Sequence, residues 1–338
     1  MATISVAILG LGRVGASVGL ALKRYNAGKG AQHQFQIVGV DRRNELQQAA
    51  QKRGAVDSLA HGFSDAVRNK DIIVLALPYA DVQAAYREFG GLARPGAVVL
   101  DMSPLKAPSL AWAQAALGEQ VYMVGVTPVL NPRTLLKGID EAEDASVDLF
   151  DDGAWLLVPS VRAAKDAVEL AANLGTILGS TPHFMDPVEH DALIAGTEGL
   201  PALLGLAAFY TLQRTGVWGD TQRLTNAPFA LLTHHLDDTH PDDLRDLLLN
   251  NRQSTVHYLD RLIETLQSFR GVIDRNDRDA LEAALVSSAE SYREWLARRR
   301  TGRWDEQPEV RAGGSFLSGM MGDYLARKVR GEKDGDDR

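Results

Sequence analysis

The sequence predicts an α/β fold in which a doubly wound parallel sheet is followed by an all-helical domain. Three observations predict it. A strand, a glycine turn and a helix open the chain, short apolar strands then alternate with helical patterns, and strand signals disappear after Pro187. Such alternation is typical of parallel sheets, and a purely helical remainder indicates a second domain. We expect a first domain over residues 1–186, a helical domain over 187–300 and a tail over 301–338.

The first strand ends in three glycines spaced G-x-G-x-x-G, and apolar residues then recur at helical spacing. The first glycine permits a tight turn, the second lets the backbone approach a pyrophosphate, and the third lets helix pack on strand. The helix N-terminus offers free N–H groups to the phosphates. The sequence therefore predicts a Rossmann-type dinucleotide site. The predicted cofactor-binding residues of this turn are Gly10, Leu11, Gly12, Arg13, Val14 and Gly15.

A second apolar strand ends in Asp41, whose carboxylate is placed to accept hydrogen bonds from the ribose hydroxyls of a nicotinamide dinucleotide. Asp41 lies further along than the usual roughly 20 residues, because a polar insert over residues 27–34 lengthens the connection. Arg42 and Arg43 could hold a 2′-phosphate, but Asp41 beside them would repel it. We therefore expect NAD rather than NADP as the cofactor, with Asp41 and Arg42 among its contacts.

Further apolar strands are predicted at residues 71–78, 97–103, 121–130 and 154–160. Ligands of doubly wound sheets lie at the carboxyl ends of the strands, so the residues that follow each strand are candidates for the site. Those residues are Leu77, Pro78, Ser103, Lys106, Thr127 and Pro128.

Composition excludes several classes of protein and partner. The 338 residues carry a formal net charge of -8, which provides no basic field for nucleic acid, and we expect no apolar run of the length of a membrane span. The chain enters its first strand at once, without a signal-peptide pattern. There is no cysteine, so disulfides and thiolate chemistry are excluded. We expect a cytoplasmic protein without a metal, and interpret the acidic stretch at residues 141–152 as a solvated surface.

The helical region suggests self-association. Residues 200–212 are apolar on nearly every face, a pattern typical of a helix buried in an interface. We expect a homodimer formed through this domain. A short amphipathic helix is also predicted in the tail, from apolar residues at Phe316, Leu317, Met320, Met321, Tyr324, Leu325 and Val329.

Several motifs together resemble the prephenate and arogenate dehydrogenase family. They are GLGRVGASVGLALK, VGVD, LALP, D-x-S-P-L-K, G-x-x-P, an HD-initiated apolar helix with LP, and DTQRLTNAP, collinear over roughly the first 270 residues. The resemblance implies an NAD- or NADP-binding domain followed by a helical dimerisation domain. It also implies an oxidative decarboxylation in tyrosine biosynthesis, in which hydride leaves the hydroxyl-bearing ring carbon for nicotinamide and loss of the carboxylate makes the ring aromatic.

The resemblance also implies roles for site residues, and it shows positions where this sequence differs from the family motifs. The family histidine of G-G-H-P contacts the substrate hydroxyl, and here Thr127 stands in its place. The G-S-V-K serine falls on Pro104 while Lys106 matches, and Arg223 matches the arginine of D-x-T-R. The S-H-L-P-H segment reads Glu198-Gly199-Leu200-Pro201-Ala202 and lacks both histidines. A carboxylate at residue 198 hints at a cationic or less acidic substrate.

A threonine is not a base near neutral pH, so another group is needed for proton transfer. His190, paired with Asp191 at a helix start, is the best remaining candidate, although a structural role in capping the helix and packing between domains is the favoured explanation. Lys106 is either a cation for a carboxylate or an acid–base group. Arg223 is an anion clamp or part of an interdomain salt bridge. The catalytic candidates are therefore Lys106, Thr127, His190 and Arg223.

Three functions remain open. The first is an NAD-dependent oxidoreductase resembling prephenate dehydrogenase, with the same or an altered small-molecule substrate. The second is another NAD(P)-dependent reductase, which transfers hydride by alignment alone and needs no histidine. The third is a regulatory protein that binds a nucleotide without catalysis.

Overall fold

The computed structural model describes residues 2–134 and 145–302, and the chain divides into two compact units, Met1–Thr255 and Val256–Arg338. The strands are β1 Ala2–Leu9, β2 His33–Val40, β3 Ser58–Leu59, β4 Ile72–Leu75, β5 Val98–Asp101, β6 Tyr122–Val129, β7 Ala154–Pro159 and β8 Thr181–Phe184. The helices are α1 Arg13–Ala27, α2 Asn44–Lys52, α3 Phe63–Ala66, α4 Tyr79–Phe89, α5 Lys106–Ala116, α6 Lys165–Leu178, α7 Pro187–Ile194, α8 Leu200–Gln213, α9 Trp218–Thr221, α10 Ala227–Thr233, α11 His235–Asp238, α12 Pro241–Asn250, α13 Arg252–Asp274 and α14 Arg278–Thr301.

All eight strands form one sheet in the order β3-β2-β1-β4-β5-β6-β7-β8. Neighbouring strands are parallel except for β6 and β7, which are antiparallel. The predicted doubly wound fold is confirmed, and the expectation of a wholly parallel sheet is corrected at β7. A parallel neighbour needs a crossover, usually a helix, and the described part of the β6–β7 connection contains no α-helix.

The first strand shows how the sequence builds this core. Residues 6–9 of β1 are fully buried, and successive side chains point to opposite faces of the sheet. Val6 and Ile8 join the apolar cluster on one face, and Ala7 and Leu9 join the cluster on the other. Because helices cover both faces, β1 reads as a continuous apolar run. The chain order reverses between β1 and β4, and this switch point is where such sheets bind ligands.

The helical part largely follows the sequence pattern. The sequence pattern of residues 190–213 predicts one helix, and the structure has a continuous run there in which α7 and α8 are joined by a π-helical turn, Ala195–Gly199. The helical pattern of residues 242–269 in the sequence predicts one helix, but this stretch forms α12 and α13, because Asn251 leaves helical geometry at φ -119 and ψ 33. The polar segment 54–71 contains β3 and α3, which the sequence did not indicate.

The run Pro187–Gln213 corrects one expectation from composition. It has 27 residues and a mean hydropathy of 1.6, which is long and apolar enough to cross a membrane, with 28% of its most apolar window buried. Core helices of soluble proteins have the same length and composition, so the property is weak evidence for a membrane. The run also exposes Leu206 and Tyr210, which are available to pack on another protein surface.

The described part of the second unit is formed by most of α13 and by α14. Asp277 caps α14, because its carboxylate accepts a hydrogen bond of 3.1 Å from the backbone N–H of Ala280. Large apolar side chains on these helices remain exposed: Val256, Ile263, Leu266, Ile273, Leu285, Tyr292 and Trp295. The predicted tail helix at residues 316–329 and the start of the acidic stretch at 141–144 lie outside the described residues.

Candidate active site

The glycine turn between β1 and α1 depends on residues without side chains. Gly10 has a φ of +93°, and a Cβ there would lie 2.1 Å from the carbonyl oxygen of Ala76. A Cβ on Gly15 would lie 2.0 Å from the carbonyl oxygen of Gly10. Both contacts are with backbone, which cannot move aside cheaply. The close approach of turn, helix and β4 therefore requires glycine at both positions.

The N-terminus of α1 is open to an anion. Gly12 is its N-cap residue, no side chain caps the helix, and its first turn contains no acidic residue. The first N–H groups of a helix have no partner within the helix, so they are available to a phosphate. Leu11, Arg13 and Val14 belong to the same turn. The six predicted residues thus lie together at the turn and at the uncapped N-terminus of α1.

Asp41 lies beside this turn at the carboxyl end of β2. One carboxylate oxygen accepts a 2.7 Å hydrogen bond from the backbone N–H of Leu11, and the other accepts a 2.8 Å hydrogen bond from the backbone N–H of Arg43. Arg42 pairs with Asp81, and its guanidinium lies 5.6 Å from the ring centroid of Phe63. The carboxylate is therefore fixed next to the turn, while Arg42 is already paired with an acid.

The ends of β4 and β5 bring further predicted residues to this edge. Leu77 and Pro78 follow β4, and Pro78 is the N-cap residue of α4. Ser103 follows β5 and is buried, with its hydroxyl 2.6 Å from that of Ser109. Asp101, also buried, accepts hydrogen bonds of 2.7 Å from the Ser103 N–H and from the Tyr86 hydroxyl. These bonds fix the backbone where it leaves the sheet.

Lys106 is fully buried under this edge. Its ammonium group donates to the backbone carbonyl oxygens of Ser103, of Val126 at 2.8 Å and of Asp101 at 3.3 Å. Burial lowers the pKa of Lys106 to about 8, although Asp101 and nearby acids oppose the shift. An ammonium has three N–H donors, so in this arrangement all of them are used by the backbone. Lys106 contributes its charge and joins β5 to β6.

Asp191 connects the start of the helical region to the sheet domain. Its two carboxylate oxygens accept hydrogen bonds from the backbone N–H groups of Lys106 at 2.7 Å and Ala107 at 2.9 Å. These are the first N–H groups of α5, where a negative charge is favourable. The side-chain amide of Asn251 donates to the carbonyl oxygen of Asp191. Sequence reasoning noticed Asp191 only as the partner of His190 and missed this capping contact.

His190 joins Asp191 to Thr127 in a continuous hydrogen-bonded chain. His190 Nδ1 lies 2.9 Å from Asp191 Oδ1, and His190 Nε2 lies 2.8 Å from Thr127 Oγ1. Only 1% of the histidine surface is exposed. The carboxylate is an acceptor, so Nδ1 carries a proton and Nε2 of the neutral ring is free to accept one from the threonine hydroxyl. The arrangement can move a proton away from whatever contacts Thr127.

Arg223 is the predicted catalytic residue that the structure does not bring to this cluster. It lies on an exposed 3₁₀ turn, Gln222–Leu224. Among the described residues, nothing forms a hydrogen bond or ion pair with its side chain. Its role as an anion clamp stays a prediction.

Beside the cluster lies a cavity of about 400 Å³. Its lining residues are Tyr79, Pro104, Thr197, Glu198, Pro201, Ala202, His235, Thr239, Asp243, Leu244 and Leu247. Loss of hydration raises the pKa of Glu198 and of Asp243, and burial raises that of Tyr79. Throughout the two described ranges, no three His, Asp or Glu side chains are grouped as a metal site.

Comparison with known proteins adds to this geometry. Residues 18–180 match the nucleotide-binding domain of prephenate dehydrogenase, and residues 186–287 match its dimerization domain. The prephenate dehydrogenase of Bacillus subtilis (strain 168) is 25% identical over 305 residues, which span 88% of this chain and 77% of the relative. The match to the nucleotide-binding domain begins after the glycine turn, so the assignment of that turn depends on its structure.

Solved structures share the fold. The prephenate dehydrogenase from A. aeolicus in complex with hydroxyphenyl propionate and NAD+ has a TM-score of 0.74 at 19% identity, covering 87% of this chain and 99% of that one. The Synechocystis arogenate dehydrogenase has a TM-score of 0.65 at 18% identity, covering 86% and 100%. At these identities the likeness establishes the architecture.

Proposed function

Because the chain belongs to the prephenate dehydrogenase family, we propose that it is an NAD-dependent dehydrogenase that oxidises prephenate or arogenate with loss of carbon dioxide, a step of tyrosine biosynthesis. The observation that supports this reaction most is the buried chain of Thr127, His190 and Asp191. It lies at the carboxyl edge of the sheet that also carries the glycine turn. A proton acceptor is thereby placed in a dry setting beside the cofactor region.

The residues of the first turn fit NAD. A Cβ on Gly10 or Gly15 would fill the turn, and the uncapped N-terminus of α1 would hold the pyrophosphate. Asp41 would accept hydrogen bonds from the ribose hydroxyls with its remaining lone pairs. The pairing of Arg42 with Asp81 supports NAD over NADP, because that arginine's charge is already compensated. When bound, NAD supplies the hydride acceptor.

The chain of three residues would handle the proton. The substrate hydroxyl would give its proton to Thr127 Oγ1 as the threonine passes its own to His190 Nε2. Asp191 would stabilise the resulting imidazolium through its 2.9 Å contact to Nδ1. Hydride departs from the same carbon, loss of the carboxylate as carbon dioxide makes the ring aromatic and leaves a phenolate, and the phenolate would take the proton back from His190 through Thr127. In this proposal Thr127 replaces the family histidine at the substrate, and His190 is the base.

Substrate carboxylates need cationic or N–H partners. Lys106 would stabilise negative charge from beneath the site without donating to it, because its three N–H donors already bind carbonyl oxygens. Arg223 would be the exposed cation that holds a carboxylate once the site is assembled. Ser103, Leu77 and Pro78 would shape the cofactor edge of the cleft.

We also propose that the protein is a homodimer and that the domain boundary lies near Pro187. The second matched region is described as a dimerization domain, and the exposed apolar side chains of α8 provide a surface for association. A cytoplasmic location fits an NAD-dependent enzyme without cysteine. The substrate is a small molecule, and nucleic acid or membrane has no part in the proposal.

The test is NADH formation from NAD with prephenate and with arogenate, together with identification of the aromatic product. We expect turnover with at least one of them. Arg223→Ala should raise KM by about 10- to 100-fold, as expected for a lost charge-assisted hydrogen bond, whereas Arg223→Lys should retain part of the affinity. Binding of NAD without turnover of either substrate would refute the proposed reaction and favour a nucleotide-binding regulator or a reductase of another substrate.

A further inference from the structure

The cavity beside the active-site cluster is acidic. It receives two carboxylates, from Glu198 on the π-helical turn and from Asp243 on α12. No lysine or arginine lines it within the part of the chain that the structure describes. The family reaction uses substrates with carboxylates, so two acids without a lining cation call for an explanation.

Glu198 is held in the cavity by an irregular helix. The π-helical turn Ala195–Gly199 interrupts an otherwise α-helical run, and such insertions occur frequently at functional sites. Neither carboxylate oxygen of Glu198 has a hydrogen-bond partner among the described residues. The charge of Lys106 favours the ionised form, but its three N–H donors bind carbonyl oxygens. Glu198 therefore lines the cavity with a carboxylate that accepts no hydrogen bond from the described residues.

Asp243 provides the second acceptor. One of its oxygens accepts a 2.7 Å hydrogen bond from the backbone N–H of Ala80, which orients the carboxylate. Its other oxygen has no hydrogen bond within the described ranges. Partial burial raises the pKa of Asp243, and the charges of Asp81 and Asp246 add to the shift. A cation bound in the cavity, which both residues line, would offset the loss of hydration of the two carboxylates.

His235 gives an independent sign of a ligand. It lines the same cavity, and its Nε2 atom is buried without a hydrogen-bond partner in the described structure. A buried polar atom without a partner costs roughly 1–3 kcal/mol, and a ligand that completes the hydrogen bond would remove this cost. An imidazole N–H suits a carboxylate. The cavity thus offers acceptors for an ammonium and a donor for a carboxylate.

We propose that Glu198 and Asp243 bind the ammonium group, and His235 the carboxylate, of an α-amino acid side chain on the substrate. The inference deepens the proposed function and depends on it for the identity of the ring. The chain then prefers the amino acid arogenate to the keto acid prephenate, because a keto group leaves both carboxylates without a partner. The cavity is the specificity subsite next to the proton-transfer chain.

The first test compares kcat/KM for arogenate and prephenate in the wild type and in Glu198→Gln. The wild type should prefer arogenate. In the variant, kcat/KM for arogenate should fall by about 10- to 100-fold, as expected for one charge-assisted hydrogen bond, while kcat/KM for prephenate should change by less than about threefold. Glu169→Gln on α6, whose side chain is 59% exposed, is the matched control and should change neither. Equal losses with both substrates, or a wild type that prefers prephenate, would overturn the inference.

A second measurement separates this inference from the proposed reaction. Calorimetry in the presence of NADH measures binding of tyrosine and of 4-hydroxyphenylpyruvate, the products of the amino acid and the keto acid, and needs no turnover. Tyrosine should bind more tightly, and Glu198→Gln should remove the difference. Circular dichroism and NAD affinity confirm that the variant is folded. If neither substrate is oxidised but tyrosine still binds more tightly, the proposed reaction is refuted while the proposed subsite is supported. Equal binding of tyrosine and 4-hydroxyphenylpyruvate would refute the subsite.

Discussion

Replacement of Thr127 by valine tests the proton-transfer chain most sharply. Valine has nearly the shape of threonine but no hydroxyl, so the 2.8 Å contact to His190 Nε2 is lost while the packing is kept. General base assistance contributes about 10²- to 10⁴-fold in rate, or roughly 2.7–5.5 kcal/mol of barrier. We therefore expect kcat to fall by that factor with the KM for NAD unchanged.

The same change has a cost in stability that must be separated from catalysis. His190 is 1% exposed, so its Nε2 atom would be left without a partner, at roughly 1–3 kcal/mol. Thr127→Ser keeps the hydroxyl and should retain most of the activity. Ser180→Ala is the control, because it removes a buried hydroxyl that donates a 2.8 Å hydrogen bond to the carbonyl oxygen of Phe150, outside the cluster. This variant should be less stable but should keep its activity. A Thr127→Val enzyme with kcat within about threefold of the wild type would refute the chain of three residues.

Three further predictions follow from the geometry. Gly15→Ala should abolish NAD binding in calorimetry, because its Cβ would lie 2.0 Å from a carbonyl oxygen, whereas Gly30→Ala, with nothing within 4 Å, should bind normally; normal binding by both would contradict the assigned turn. Lys106 has a pKa of about 8 in the folded protein against 10.5 ordinarily, so the unfolded chain binds more protons in that window and stability should rise with pH across it. Urea unfolding of Lys106→Met should lack this rise, and parallel pH curves would contradict the burial argument. The pKa of Glu198 is raised in the folded protein, so the stability of the wild type should increase as the pH falls through this raised pKa. The Glu198→Gln variant should have a higher melting temperature than the wild type at neutral pH. A lower melting temperature of the variant at neutral pH would show that the carboxylate stabilises the fold.

The sheet and the cofactor turn could be predicted from the sequence because local physics decides them. Gly10 and Gly15 are required by backbone contacts, and β1 reads as a buried strand because both of its faces are covered. The antiparallel direction of β7 could not be predicted, since the apolar pattern of a buried strand is the same in either direction. The break at Asn251 was missed because apolar periodicity continues through it.

The active-site cluster was predicted in part. Thr127, Lys106 and His190 were selected one by one, from strand ends and from the resemblance, but their contacts join residues 63 to 85 positions apart. Only the fold reveals that Asp191 caps α5 and orients His190 at the same time. The π-helical turn that contains Glu198 was likewise missed, because the helical pattern of the sequence continues through it.

The most direct test of the whole account is a single-turnover experiment with enzyme in excess over arogenate and saturating NAD. The account predicts one NADH and one carbon dioxide for each tyrosine formed, with a rate that falls by about 10²- to 10⁴-fold in Thr127→Val. NAD binding at the glycine turn with no NADH from arogenate or prephenate would contradict it.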